Sequence, residues 1–204
     1  MRQITPAVSI VLLFFISFAA GCGGGGGDSG TTSGGGAITT PGTDAGPVAA
    51  SLYTYVLTRL NAIRAAEAPT AAPFVRVASL DTYAQTGTTA FMTSAIPHGH
   101  FDAVSIFPSC PAPAPPVVGT PVAGDPLAAC KFPARENQGI ASGAATEAAV
   151  DLILNGFLAE EPLAPCSAGR GHYDAMTDLH LNHVGIGLTV STDGRLWMTL
   201  DFCD

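Results

Sequence analysis

The stretch from Val184 to Phe202 constrains this chain more than any other, because its residue pattern suits a β-hairpin and little else. Val184-Gly185-Ile186-Gly187-Leu188-Thr189-Val190 alternates as a half-buried strand does. Thr192-Asp193-Gly194 follows, and Asp-Gly supplies the positive-φ residues of a tight reversal. Arg195-Leu196-Trp197-Met198-Thr199-Leu200-Asp201-Phe202 then returns with β-branched and aromatic residues that fit a pleated surface. Just ahead of the hairpin, Gly171-His172-Tyr173 opens a short run that reads as helical or irregular. The chain therefore sets a histidine immediately before an apolar strand that opens with glycines.

Three helices are predicted upstream. Leu52, Val56, Leu60 and Ile63 recur at helical spacing from about Ala49 to Glu67, and Ala-Pro-Thr after Glu67 stops the helix. Asn61 and Arg64 lie three positions apart, share a face, and read as buried polar groups bonding loop carbonyls. A second helix begins near Ser79, carries Leu80, Tyr83, Ala84, Gly87 and Phe91 on one side, and ends before Pro97-His98-Gly99-His100. The third spans about Thr146 to Leu158, with Ala149, Val150, Ile153, Leu154 and Phe157 inward. Residues 107–130 are too rich in proline for a helix or a central strand and read as an insertion. Residues 159–169 read as a second, irregular insertion.

The amino-terminal segment has a different character. Arg2 precedes an apolar run from about Ala7 to Ala20, too short for the ~20 residues of a membrane-spanning helix and suited to a signal-peptide core. Ala19-Ala20-Gly21-Cys22 resembles the lipobox of bacterial lipoproteins, with alanine where leucine is usual. That resemblance implies residues 1–21 as a cleaved signal, Cys22 as the acylated residue and palmitate among its lipids. Gly23 in place of aspartate implies an outer-membrane destination in a Gram-negative envelope. Residues 22–48 are rich in Gly, Ser and Thr and predict a disordered tether with an end-to-end distance on the order of 25–30 Å. Residues 49–204 are the size of one domain with its own core.

Charge and cysteine use narrow the partners. A net charge of −8, with only 8 scattered Lys and Arg, argues against nucleic acid, whose phosphates call for clustered positive charge. The same acidity leaves membrane attachment to the acyl chains. With Cys22 set aside, Cys110, Cys130, Cys166 and Cys203 form an even set, as expected of an exported protein. Three pairings are possible. Cys110–Cys130, bracketing the proline-rich loop, and Cys166–Cys203, tying the segment before His172 to the last strand, are the pair expected here. No C-x-x-C spacing suggests a thiolate zinc site.

Taken in order, Gly171-His172-Tyr173, His183-Val184-Gly185-Ile186-Gly187 and the closing strand with Trp197 resemble the C-terminal half of the CAP superfamily, the cysteine-rich secretory, antigen-five and pathogenesis-related (SCP-like) proteins. Leu60-Asn61-Ala62-Ile63-Arg64 resembles that family's H-N-x-x-R with leucine for histidine. Arg135-Glu136-Asn137-Gln138-Gly139-Ile140 resembles its G-E-N motif. The resemblance implies an α+β fold: an α-β-α sandwich with a small antiparallel sheet flanked by helices and a C-terminal hairpin. It also implies a cleft in which two histidines meet one or two glutamates. His172 and Glu136 match by position, and either His98 or His100 is the second histidine. Asn61, Arg64 and Asn137 match as structural motif residues. The glutamate of the family's third helix falls near Asn155 or Gly156 here, with only Glu160 and Glu161 close by. His180 and His183 match no role and read as surface residues.

No H-E-x-x-H, G-x-S-x-G or phosphate-binding glycine loop is present. The expected function is a lipid-anchored, monomeric envelope module, not an enzyme, that binds a lipid- or sterol-like molecule, a peptide or another envelope protein. The alternative is a hydrolase in which Zn²⁺ held by His172 and His98 or His100 activates water, with Glu136 as ligand or base. An adhesion or scaffold domain is a further alternative.

Overall fold

The structure, a computed structural model, describes residues 42–98, 100, 130, 135–161 and 171–204. Its elements run α1 (Ala50–Glu67), β1 (Val75–Arg76), α2 (Ala78–Ser94), β2 (Arg135–Ser142), α3 (Glu147–Leu158), α4 (Gly171–Thr177), β3 (His183–Val190) and β4 (Arg195–Cys203). The three long helices lie where the periodicity predicts them, and α3 is capped by Thr146, whose side chain accepts from the Ala149 N–H at 3.2 Å. Cys22, Cys110, Cys166, the segment expected as a signal, most of the expected tether, and nearly all of both expected insertions lie outside the described residues.

The four strands stand in the order β1-β3-β4-β2. The predicted hairpin is its centre, with β3 and β4 paired antiparallel from His183↔Cys203 to Val190↔Leu196. The sheet is mixed and not wholly antiparallel, because β1 pairs parallel with β3. That short strand comes from the chain leaving α1, held by Asn61, which accepts from the Phe74 N–H at 2.7 Å and donates to the Phe74 carbonyl at 3.1 Å. β2, read in the sequence as a motif and not as a strand, pairs with the other side of β4 along its whole length.

Strand alternation divides the sheet into two faces with different chemistry. Val184, Ile186 and Leu188 of β3 and Leu196, Met198, Leu200 and Phe202 of β4 join α1 and α3 in the main core, with Leu52, Val56, Leu60, Ile63, Val150, Ile153, Leu154 and Phe157. Each such buried side chain stabilises the fold by roughly 1.5–3 kcal/mol. The opposite face packs on α2 and is largely polar. Its cross-strand rows read Gly185–Asp201–Glu136, Gly187–Thr199–Gln138 and Thr189–Trp197–Ile140. With α2 on one side and α1, α3 and α4 on the other, the domain is an α-β-α sandwich of α+β class.

Two corrections concern the ends of the domain. Gly42 and Asp44, inside the span expected as tether, already pack on the domain. The Gly42 N–H donates to the Met92 carbonyl at 2.7 Å, and Asp44 bridges Ser191. The disulfide joins Cys130 to Cys203, so neither Cys110–Cys130 nor Cys166–Cys203 forms. The reason is register: Arg135 stands opposite Phe202, so the start of β2, five residues after Cys130, lies beside the end of β4. Closing a loop of separation 73 is worth roughly 4 kcal/mol on the chain-entropy account.

Arg64 binds the loops together from inside. Nearly inaccessible to solvent, it donates to the carbonyls of Ala72, Met176, Asp178 and Leu181, and its guanidinium lies 4.0 Å over the Phe74 ring. Burial pushes its pKa down, partly offset by the Asp178 carboxylate.

Candidate functional site

The motif residues meet where β2 begins. Alternation along this edge strand sends Glu136 to the α2 face and Asn137 to the α3–α4 face, so adjacent residues serve opposite sides of one site. Glu136 is almost wholly buried. Its Oε1 meets His98 Nδ1 at 2.7 Å and its Oε2 meets His100 Nε2 at 3.0 Å. On the other side, the Asn137 amide donates to the His172 carbonyl at 2.9 Å.

His98 is held in an uncommon backbone conformation. Its φ of 60° lies in the left-handed region, where a non-glycine residue needs support from its surroundings. The support is visible: its N–H donates to Gln138 Oε1 at 2.7 Å while its ring engages Glu136. Gln138 in turn donates to Thr199 Oγ1 at 3.1 Å, which anchors the histidine to the centre of the sheet.

His172, at the start of α4, is oriented by an acid that the sequence pattern did not single out. Glu160, in the turn after α3, meets His172 Nδ1 at 2.6 Å and accepts from the backbone N–H groups of His172 at 3.0 Å and Tyr173 at 3.3 Å. The Phe157 ring stacks on the imidazole with centroids 4.5 Å apart. Asn155 and Gly156, aligned with the family's third-helix glutamate, remain within α3. Glu161 stands exposed beside Glu160. The turn after α3 therefore brings the Glu160 carboxylate to His172.

The rings of His98 and His172 face each other with centroids 6.3 Å apart and planes 30° apart. Each engages a carboxylate through Nδ1, which favours the tautomer with its lone pair on Nε2. Imidazoles oriented in this way by carboxylates are the usual form of histidine metal ligands. His98 and His172 are thus the pair able to hold a transition ion such as Zn²⁺, with Glu136 and Glu160 as orienting groups. His100 lies behind this pair, against Tyr83, and His180 is exposed and engaged by Asp178. His183 is half-buried at the start of β3, not on the open surface.

A groove of about 720 Å³ lies elsewhere, along α2, and includes Tyr53, Arg76, Asp81 and Gln85. Its polar groups are committed to the fold. Asp81 accepts from the Ile186 N–H at 2.9 Å and from Arg76, and Gln85 accepts from the Leu188 N–H at 3.1 Å. These two side chains, four positions apart on one helix, replace the strand that would continue beyond the two residues of β1. The groove therefore reads as edge protection, and the histidine cluster as the site.

No family model and no characterised protein matches the sequence. Among solved structures, a hookworm platelet inhibitor aligns with 11% identity over 79% of this chain and 74% of its own, at a TM-score of 0.49. An outer surface protein of Borrelia burgdorferi aligns with 14% identity over 80% of this chain and 98% of its own, at a TM-score of 0.47.

Proposed function

We propose that this chain is an exported CAP-type binding module, anchored through Cys22, whose cleft between His98 and His172 recognises its ligand with the help of a bound transition ion. The observation that carries the reading is the facing pair of imidazoles, each braced at Nδ1 by a buried glutamate. Burying two carboxylates to orient two rings costs stability, and a core needing only packing would use apolar side chains there. The ordered appearance of the CAP-like motifs along the chain and the α-β-α layering support the family reading. The disulfide supports an oxidising compartment. Ligands of the class expected are lipid- or sterol-like molecules, peptides, or a partner protein of the envelope.

When bound, Zn²⁺ would supply Lewis acidity and an open coordination position. The chain's own part is to fix both rings, exclude water with Phe157 and present Nε2. Hydrolysis is the second reading, since an open zinc position can activate water. It requires turnover that a chelator abolishes.

Titration calorimetry of the full-length protein in detergent, with Zn²⁺ alone, tests the cleft. Saturable binding is expected, and His172→Ala should remove the cleft step while His180→Ala leaves it intact. Equal binding by the two variants would leave the histidines as packing groups and defeat the reading.

A further inference from the structure

β4 carries an aspartate that the cleft does not use. Asp201 has no solvent exposure, although it sits on the central strand of the sheet, between Gly185 of β3 and Glu136 of β2. Two carboxylates directly across a ladder repel, and they do so more strongly away from water. Elsewhere on this face β4 uses Trp197 and Thr199, which bring no charge. This rung therefore places a second buried carboxylate directly beside Glu136.

A third donor lies over the pair. The His100 ring rests so closely on Gly87 that even a methyl group there would overlap it, and Tyr83 flanks it with ring centroids 4.9 Å apart. Only a glycine in α2 allows this approach. His100 Nε2 comes within 3.0 Å of Glu136 Oε2, and ligand atoms of His100, Glu136 and Asp201 all lie within 4.8 Å of one another. A tetrahedral ion with bonds of about 2.0–2.2 Å separates its ligands by roughly 3.3–3.6 Å, so a contraction of about an ångström closes the shell.

We propose that His100, Glu136 and Asp201 form a second, buried cation site for a divalent first-row transition ion, Zn²⁺ or Mn²⁺, behind the cleft. One imidazole with two carboxylates is a donor set suited to such ions, and it contains no thiolate to favour softer ones. Because Glu136 gives Oε1 to His98 and Oε2 to His100, an ion here ties the segment bearing both histidines to the centre of the sheet. The site is closed and structural: it positions His98 and does not itself meet ligand. It goes beyond the cleft reading and does not depend on His172.

The test uses full-length protein in detergent, stripped with EDTA and titrated with Zn²⁺ and with Mn²⁺, with elemental analysis of the loaded protein. His172→Ala should retain one bound ion, and Asp201→Asn in that background should weaken it by about 100-fold or more. Asp201→Asn keeps the shape of the side chain and removes one of the opposed charges. Its melting temperature in EDTA should equal or exceed that of the parent, showing that the fold survives. If it does not, His100→Gln, outside the strand ladder, replaces it with the same expected loss of binding. Loss of all binding in His172→Ala, or full affinity in both Asp201→Asn and His100→Gln, overturns the second site and leaves the cleft standing. Binding that survives His172→Ala unchanged and disappears with Asp201→Asn overturns the cleft instead. No binding of either ion to the parent protein overturns both.

Discussion

Gly185 and Gly187 allow α2 to lie directly on β3. A Cβ at Gly187 would overlap the Ala84 carbonyl, and one at Gly185 would overlap the Leu80 backbone. Helix backbone cannot move aside as a flexible side chain can, so a methyl group here must displace α2. Gly187→Ala should destabilise the domain by about 1–3 kcal/mol or more, read as a lower urea midpoint. An unchanged midpoint would mean that the helix is not seated on the strand. The same helix also supplies the Gly87 seat for His100. At this scale the sequence showed an apolar strand that opens with glycines. Which helix would fill the gap was not legible, since a glycine records only that something approaches.

The hairpin is the element most completely written in the local sequence. Gly194 takes a φ of 82°, as the Asp-Gly turn requires. Asp193 organises the turn by accepting from Ser191 Oγ at 2.5 Å and from Arg195 Nε at 2.7 Å, and Trp197 Nε1 donates to Ser191 Oγ at 2.9 Å. Arg195, and next Ser191, hold the Asp193 carboxyl down from 3.8 to about 2. A depressed carboxylate pKa contributes stability that is present above the unfolded value and lost as pH falls through the folded one. The contribution of Asp193 should therefore fade between about pH 4 and pH 2. The carboxylate is half-exposed, so solvent screening keeps the effect small. Thermal melts of Asp193→Asn and the parent should differ at about pH 5 and converge by about pH 2; a constant gap would show that the turn does not depend on this charge. β2 was the element hardest to read. Glu136 and Gln138 face α2 while Asn137 and Gly139 face α3 and α4, so both faces are buried and no apolar-polar alternation appears.

At the scale of the whole molecule, the cleft and the anchor proposed above lie in different parts of the chain. Among the described residues no helix is long and apolar enough to cross a membrane. The anchor proposed at Cys22 predicts that a fatty-acid label enters the parent chain and is lost in Cys22→Ala, with that variant recovered in the soluble fraction. A parent chain that takes no label would remove the anchor. The sequence by itself determined what short-range chemistry controls: the three long helices from their apolar spacing, the hairpin from alternation around Asp-Gly, and the polar clamp from Asn61 and Arg64. It also brought His172, Glu136 and the pair His98 and His100 forward through their motifs. Only the tertiary structure decided what depends on long-range pairing. Antiparallel pairing of β2 with β4 sets Cys130 beside Cys203 and Asp201 beside Glu136. Packing of α4 against the end of α3 brings Glu160 to His172. Partners so far apart in the chain leave no local trace, because each residue satisfies its own strand or helix pattern whichever neighbour it later meets.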